Sequence, residues 1–84
     1  MTYNIVFSEP ALRQLKRLDS KTQARIISVL ERIRVRPERF VRKLVNDPGY
    51  KLRAGDYIVI LDIEKIRLLI LVIKIGHRKS IYKD

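Results

Sequence analysis

Two stretches of the chain gather side chains that could act on a charged substrate: Tyr50-Lys51-Leu52-Arg53 and Gly76-His77-Arg78-Lys79-Ser80-Ile81-Tyr82. In an extended strand successive side chains point to opposite faces, so Lys51 and Arg53 share one face and Tyr50 and Leu52 the other. Two cations about 7 Å apart on one face repel each other, so the pair reads either as a solvated sheet face or as a site for an anion. Arg78 and Tyr82 follow the next long apolar segment and can return to the same face, adding a fixed charge and a phenol. Such a set suits phosphoryl chemistry on RNA. Cations stabilise the charge that develops on a pentacoordinate phosphate, and an aromatic ring stacks on a base.

Other chemistries are poorly supplied. The carboxylates are scattered, and their one cluster, Asp62 with Glu64, falls at an expected hairpin. One histidine and no cysteine cannot build the usual first-row metal site, and Walker, dinucleotide and Ser-His-Asp patterns are absent, so neither metal nor cofactor is expected. With 19 basic and 9 acidic residues the net charge is +10, which points to polyanions or acidic proteins as partners.

The 84 residues leave room for one core, hence a single domain over 1–84. At 46% hydrophobic and 33% charged, the chain is too apolar for disorder and too charged for a membrane protein. Its longest apolar run, Ile66 to Ile75, contains Arg67 and Lys74 and is half the length of about 20 residues that a spanning helix needs. Met1 to Ile5 lack the basic-then-apolar pattern of a secretory signal, and no cysteine asks for an oxidising compartment. A cytoplasmic location is therefore expected.

The elements that must position these residues follow from periodicity. Tyr3, Ile5 and Phe7 alternate with polar neighbours as in a half-buried strand. Ser8-Glu9-Pro10 then reads as an N-cap, an acid at the positive end of the dipole and a first-turn proline, leading into a helix with Leu12, Leu15 and Leu18 on its core stripe. Ser20-Lys21-Thr22-Gln23 fits a capping box with Ser20 at the cap, and Ile26, Ile27, Leu30 and Ile33 continue at helical spacing until Pro37. Residues 41–44 are expected as a short strand inside a loop rich in basic side chains. Strands over 50–53, 57–63 and 67–75 follow, with separators short enough for hairpins. The uninterrupted run Leu68 to Ile73 implies a strand covered on both faces, and Ser80 to Tyr82 a last short strand. The fold class is α+β in two layers: an N-terminal strand, a two-helix hairpin and a three- to four-stranded antiparallel sheet.

Tyr50-Lys51-Leu52-Arg53-Ala54-Gly55-Asp56-Tyr57, then Gly76-His77-Arg78 and Tyr82, together with Leu18-Asp19 and Gln23 at the second helix, resemble the RelE branch of the RelE/ParE toxin superfamily. The resemblance covers nearly the whole chain. It implies the toxin of a type II toxin-antitoxin system that enters the ribosomal A site and cuts messenger RNA without a metal. The ribose 2′-hydroxyl would attack the adjacent phosphate, leaving a 2′,3′-cyclic phosphate and a 5′-hydroxyl. On this pattern Lys51, Arg53, Arg78 and Tyr82 are the catalytic residues. Lys51 is preferred as the base, a role an ammonium can take when neighbouring cations favour its neutral form. Arg53 would hold the phosphate, Arg78 stabilise the transition state, and Tyr82 stack on the nucleotide. His77, Lys79, Arg36, Arg39, Arg42 and Lys43 are candidates for contacts with substrate or ribosomal RNA. His77 has a competing reading as a turn residue bonded to backbone. Implied partners are the ribosome, its RNA, messenger RNA and a RelB-like antitoxin with an acidic wrapping segment. One departure stands out: family members often carry an arginine where Ile58 follows Tyr57. The competing function within the superfamily is ParE-like inhibition of DNA gyrase without nuclease activity.

Overall fold

In the computed structural model, which describes residues 1–82, strand β1 (Asn4–Phe7) leads directly into helix α1 (Glu9–Lys16). Ser8 caps α1 as its sequence predicts, its Oγ accepting from the Ala11 N–H at 3.1 Å. Helix α2 (Ser20–Arg32) is capped one residue earlier than expected. Asp19 is the N-cap, its carboxylate accepting from the Thr22 N–H at 3.2 Å and the Thr22 hydroxyl at 2.6 Å. These bonds, the hydroxyl's first, hold the Asp19 carboxyl below the usual aspartate value. Gln23 does not close a box with Ser20; its side-chain amide donates to the Leu18 carbonyl at 2.7 Å. The helix ends at Arg32, before Pro37, which instead opens a 3-10 turn (Pro37–Arg39).

Strands β2 (Arg42–Lys43), β3 (Tyr50–Ala54), β4 (Tyr57–Glu64) and β5 (Leu69–His77) complete one five-stranded sheet in the order β1-β5-β4-β3-β2. The last four pair antiparallel, as expected, and β1 adds itself parallel to β5, with Phe7 opposite Val72 as the final pair. Past that pair, α1 takes over the exposed β5 backbone. Ser8 Oγ donates to the Ile73 carbonyl at 2.9 Å and Gln14 Oε1 accepts from the Ile75 N–H at 2.7 Å. Polar groups that a neighbouring strand would have paired are thus satisfied by the helix.

Both helices lie on one face of the sheet. Ala11, Leu15, Ile26, Leu30 and Ile33 pack there against Leu52, Val59, Leu61, Ile70, Val72 and Ile75. Burying one such Leu or Ile is worth about 1.5–3 kcal/mol. The Leu12 stripe needs correcting: Ala11 and Leu15 face the core, and Leu12 is 39% exposed. No helix among the described residues is long and apolar enough to cross a membrane.

Three expectations for the C-terminal half change. Residues 65–68 form the β4–β5 turn, with Leu68 at a left-handed φ of 56°, so β5 begins at Leu69 rather than 67. Ser80 to Tyr82 form turns, not a strand. And β5 is covered by helices on one face only. A β-bulge ends its apolar run: Ile60 pairs with Lys74 but Leu61 with Val72, leaving Ile73 without a partner in β4. One extra residue inverts the alternation, so the core side chains are Ile70 and Val72 before the bulge and Ile75 after it.

Candidate active site

The face of the sheet turned away from the helices carries the predicted chemistry. On β3, Leu52 and Ala54 are buried under α2, while Lys51 is half-buried and Arg53 exposed on the other side. Cross-strand register places Arg42 of β2 directly opposite Lys51, then Ile60 of β4, then Lys74 of β5. The neighbouring row runs Arg53, Ile58, Gly76. At about 4.8 Å per strand, three cations of the first row fall within about 14 Å. Lys74 and Gly76 belong to this face only because of the bulge at Ile73; strict alternation from Val72 would have turned them into the core.

Beyond β5 the chain folds back over these rows. The Ser80 and Ile81 N–H groups both donate to the His77 carbonyl at 2.9 Å, and Lys74 Nζ donates to the Ile81 carbonyl at 3.0 Å. Ile81 packs on Gly76 so closely that a Cβ there would sit 3.3 Å from the Ile81 side chain. This turn delivers Tyr82, whose ring centroid lies 5.8 Å from Lys51 Nζ, within cation–π range.

Two recesses open on either side of Lys51. One of about 380 Å³ is lined by Leu44, Val45, Asp47, Lys51, Ile60, Lys74, Ile81 and Tyr82. The other, about 490 Å³, is lined by Phe40, Arg42, Lys51, Arg53 and Ile58, with no acidic side chain among the described residues that line it. Lys51, Arg53, Arg42 and Tyr82 are therefore brought together.

Arg78 is not beside them. Its Nε lies 3.4 Å from Asp56 Oδ1 and its N–H donates to the Asp56 carbonyl at 2.8 Å, which fixes it against the β3–β4 turn rather than inside either recess. The same turn holds Arg53, whose Nε donates to the Gly55 carbonyl at 3.0 Å. The two arginines thus meet at one turn, at the margin of the face where Lys51 lies. His77 is the last residue of β5, beside the turn that follows and bonded to its backbone. Its Nδ1 accepts from the Lys79 N–H at 3.1 Å, and its ring stands edge-on to Tyr57 at 5.4 Å, on the helix side of the sheet. Lys79 is exposed in the turn that follows. Arg36 and Arg39 are exposed around the 3-10 turn, and Lys43, opposite Tyr50, points to the other face from Arg42.

Sequence reasoning did not single out Lys74 or Phe40. Lys74 was visible as the one cation inside the apolar run of β5, but its face depends on the bulge. Phe40 was visible as an aromatic residue between Arg39 and Arg42.

Residues 5–82 match the family model described as the ParE toxin of type II toxin-antitoxin system, parDE. No curated protein matches the sequence. Among solved structures, a chain of the toxin-antitoxin complex RelBE2 from Mycobacterium tuberculosis superposes with a TM-score of 0.84 at 21% identity, covering 93% of this chain and 100% of that one. A mutant of the E. coli toxin RelE in the free state gives 0.79 at 26% identity, over 96% of this chain and 88% of its own. The intact E. coli RelBE toxin-antitoxin complex gives 0.76 at 26% identity, over 89% and 95%.

Proposed function

This chain belongs to the ParE toxin family of type II toxin-antitoxin systems, with the fold of RelE, and from that premise we propose that it acts as a ribosome-dependent messenger-RNA endonuclease. The observation that carries the proposal is the open face around Lys51: Arg42 directly opposite it, Arg53 on the same side of its strand, and the Tyr82 ring 5.8 Å from its ammonium. Cations opposite one another cost stability. An RNA phosphate seated among them would convert that repulsion into charge-assisted hydrogen bonds.

In this reading the Lys51 side chain acts as its neutral amine: it takes the proton from the ribose 2′-hydroxyl as that oxygen attacks the adjacent phosphorus, and becomes the ammonium. The P–O5′ bond breaks, the 5′-oxygen takes up a proton, and the products are a 2′,3′-cyclic phosphate and a 5′-hydroxyl. Arg53, permanently charged, holds the phosphate oxygens. Arg78 joins by exchanging Asp56 for phosphate; the pair is 47% exposed on the arginine side, and such pairs contribute only about 0–1 kcal/mol. Arg67 does not replace the arginine missing at Ile58. It is bound to Glu64 at 3.0 Å, six residues along β4 and so about 20 Å away. The remaining basic surface supplies salt-dependent grip on ribosomal RNA and attraction to an acidic, RelB-like antitoxin.

Adding the protein to a translating extract tests this: cuts phased to codons, absent on free RNA and insensitive to EDTA, are expected. Intact messenger RNA would overturn the reading. A second reading, gyrase inhibition, is favoured by Ile58 and by the Asp56-bound state of Arg78. Loss of gyrase supercoiling with messenger RNA intact would establish it instead.

A further inference from the structure

Phe40 is explained neither by the core nor by the chemistry above. It is 48% exposed, although its backbone is held firmly: its N–H donates to the carbonyl of fully buried Pro37 at 3.0 Å. Its side chain lines the recess of about 490 Å³ whose other walls are Arg42, Lys51, Arg53 and Ile58. Tyr82, 58% exposed, lines the recess of about 380 Å³ on the other side of Lys51. Two solvent-facing aromatic rings therefore flank one half-buried cation, each with a cavity of its own.

We propose that Phe40 forms a nucleobase subsite, so that the two nucleotides flanking the phosphate at Lys51 are drawn apart, one base onto Phe40 and the other onto Tyr82. This rests on the reading of Lys51 as the phosphate site. Stacking on an aromatic ring accepts any base, because every base has a π-face. The separation has a mechanistic use. In a stacked strand the ribose 2′-oxygen is poorly aligned with the P–O5′ bond, and pulling adjacent bases into separate recesses unstacks the step and lets the 2′-oxygen swing into line. Ile58, where the family often has an arginine, leaves the Phe40 recess an apolar floor beside its cations.

The test uses a 2′-O-methyl dinucleoside monophosphate, which cannot be cut, with 2-aminopurine as either its 5′ or its 3′ base. Binding is followed by quenching of its fluorescence, and folding of each variant by thermal melting. Phe40→Leu is expected to weaken binding roughly 5- to 100-fold and to abolish quenching at one position only; Tyr82→Leu should abolish it at the other, and Phe40→Trp should retain both. The proposal is overturned if Phe40→Leu binds and quenches like the unaltered protein, if both variants act on the same position, or if the unaltered protein does not bind the probe. The nuclease reading fails separately. Quenching through both rings with uncut messenger RNA in a translating extract would uphold the subsite and reject the nuclease, whereas cutting with Phe40→Leu binding unaffected would do the reverse.

Discussion

Adjacent residues of β3 live in opposite environments. Leu52 is 3% exposed beneath α2, while Lys51 faces Arg42 across the strand pair with no carboxylate directly opposite it on either neighbouring strand. The helix-covered face is apolar and satisfied; the open face gathers like charges that repel. The contrast teaches that one face was shaped by stability and the other against it, which is where function is expected to sit.

The comparison is sharpest when broken on each side of the same strand. Leu52→Ala removes buried methyl groups and leaves a cavity, at a cost of about 2–5 kcal/mol. For a domain of this size, whose total stability is on the order of 4–13 kcal/mol, that lowers the melting temperature by at least about 10 °C. Any loss of cleavage should be recovered at a temperature where the variant is folded. Cleavage that stays low in the folded variant would show that the two faces are not independent.

Lys51→Ala should do the opposite. Cleavage in a translating extract is expected to fall by about 10²- to 10⁴-fold, the range for removal of a general base or a charge stabiliser. The melting temperature should hold or rise, because the directly opposed Arg42 loses a like-charged neighbour worth a few tenths of a kcal/mol, up to about 1. A variant that both unfolds and stops cutting would mean that Lys51 is structural. At the turn joining the two faces, Gly55→Ala is expected to cost about 1–3 kcal/mol. Gly55 has φ 64°, and an added Cβ would meet the Arg25 guanidinium at 2.6 Å. Since Arg53 and Arg78 are both bonded to this turn, cleavage should fall along with stability; a melting curve beside the cleavage assay reads both.

Local patterns carried much of this into the sequence. Ser8 before Glu9-Pro10, the Gly55-Asp56 turn and the alternation of Lys51, Leu52 and Arg53 each depend on neighbours within a few residues, and each is found in place, although Ala54, expected in the turn, closes β3. The cap of α2 was ambiguous for a physical reason. Asp19 and Ser20 are both good caps, and the choice falls to Asp19 because Thr22 offers it two donors. Non-local features were not legible. The parallel docking of β1 on β5 joins residues some 65 positions apart, and the bulge at Ile73 leaves no mark in an unbroken apolar run. The membership of Lys51, Arg53 and Tyr82 in one face could be reasoned from strand period and family resemblance; that Arg42 joins them follows only from the pairing of β2 with β3. The placement of Arg78 on Asp56 and of His77 on the helix side depends on how β5 ends, which only the assembled sheet determines.

The smallest predicted effect belongs to the helix layer alone. The Asp19 carboxyl is held below its ordinary value by bonds from Thr22, so its charged form is favoured in the folded state. A group depressed on folding stabilises the native protein above its unfolded value, near about 3.9, and that stabilisation is lost as the pH falls through the lower folded value. Asn caps a helix about as well as Asp but does not titrate. The difference in melting temperature between the unaltered protein and Asp19→Asn should therefore be constant above about pH 5 and shift in favour of Asp19→Asn as the pH is lowered below about 4. Cleavage by Asp19→Asn at neutral pH should match that of the unaltered protein, because the cap lies on the helix side of the sheet, away from the proposed RNA face. A melting difference that stays flat to pH 2 would show that the Thr22 bonds do not hold the carboxylate, and a loss of cleavage would show that the helix layer reaches the open face after all.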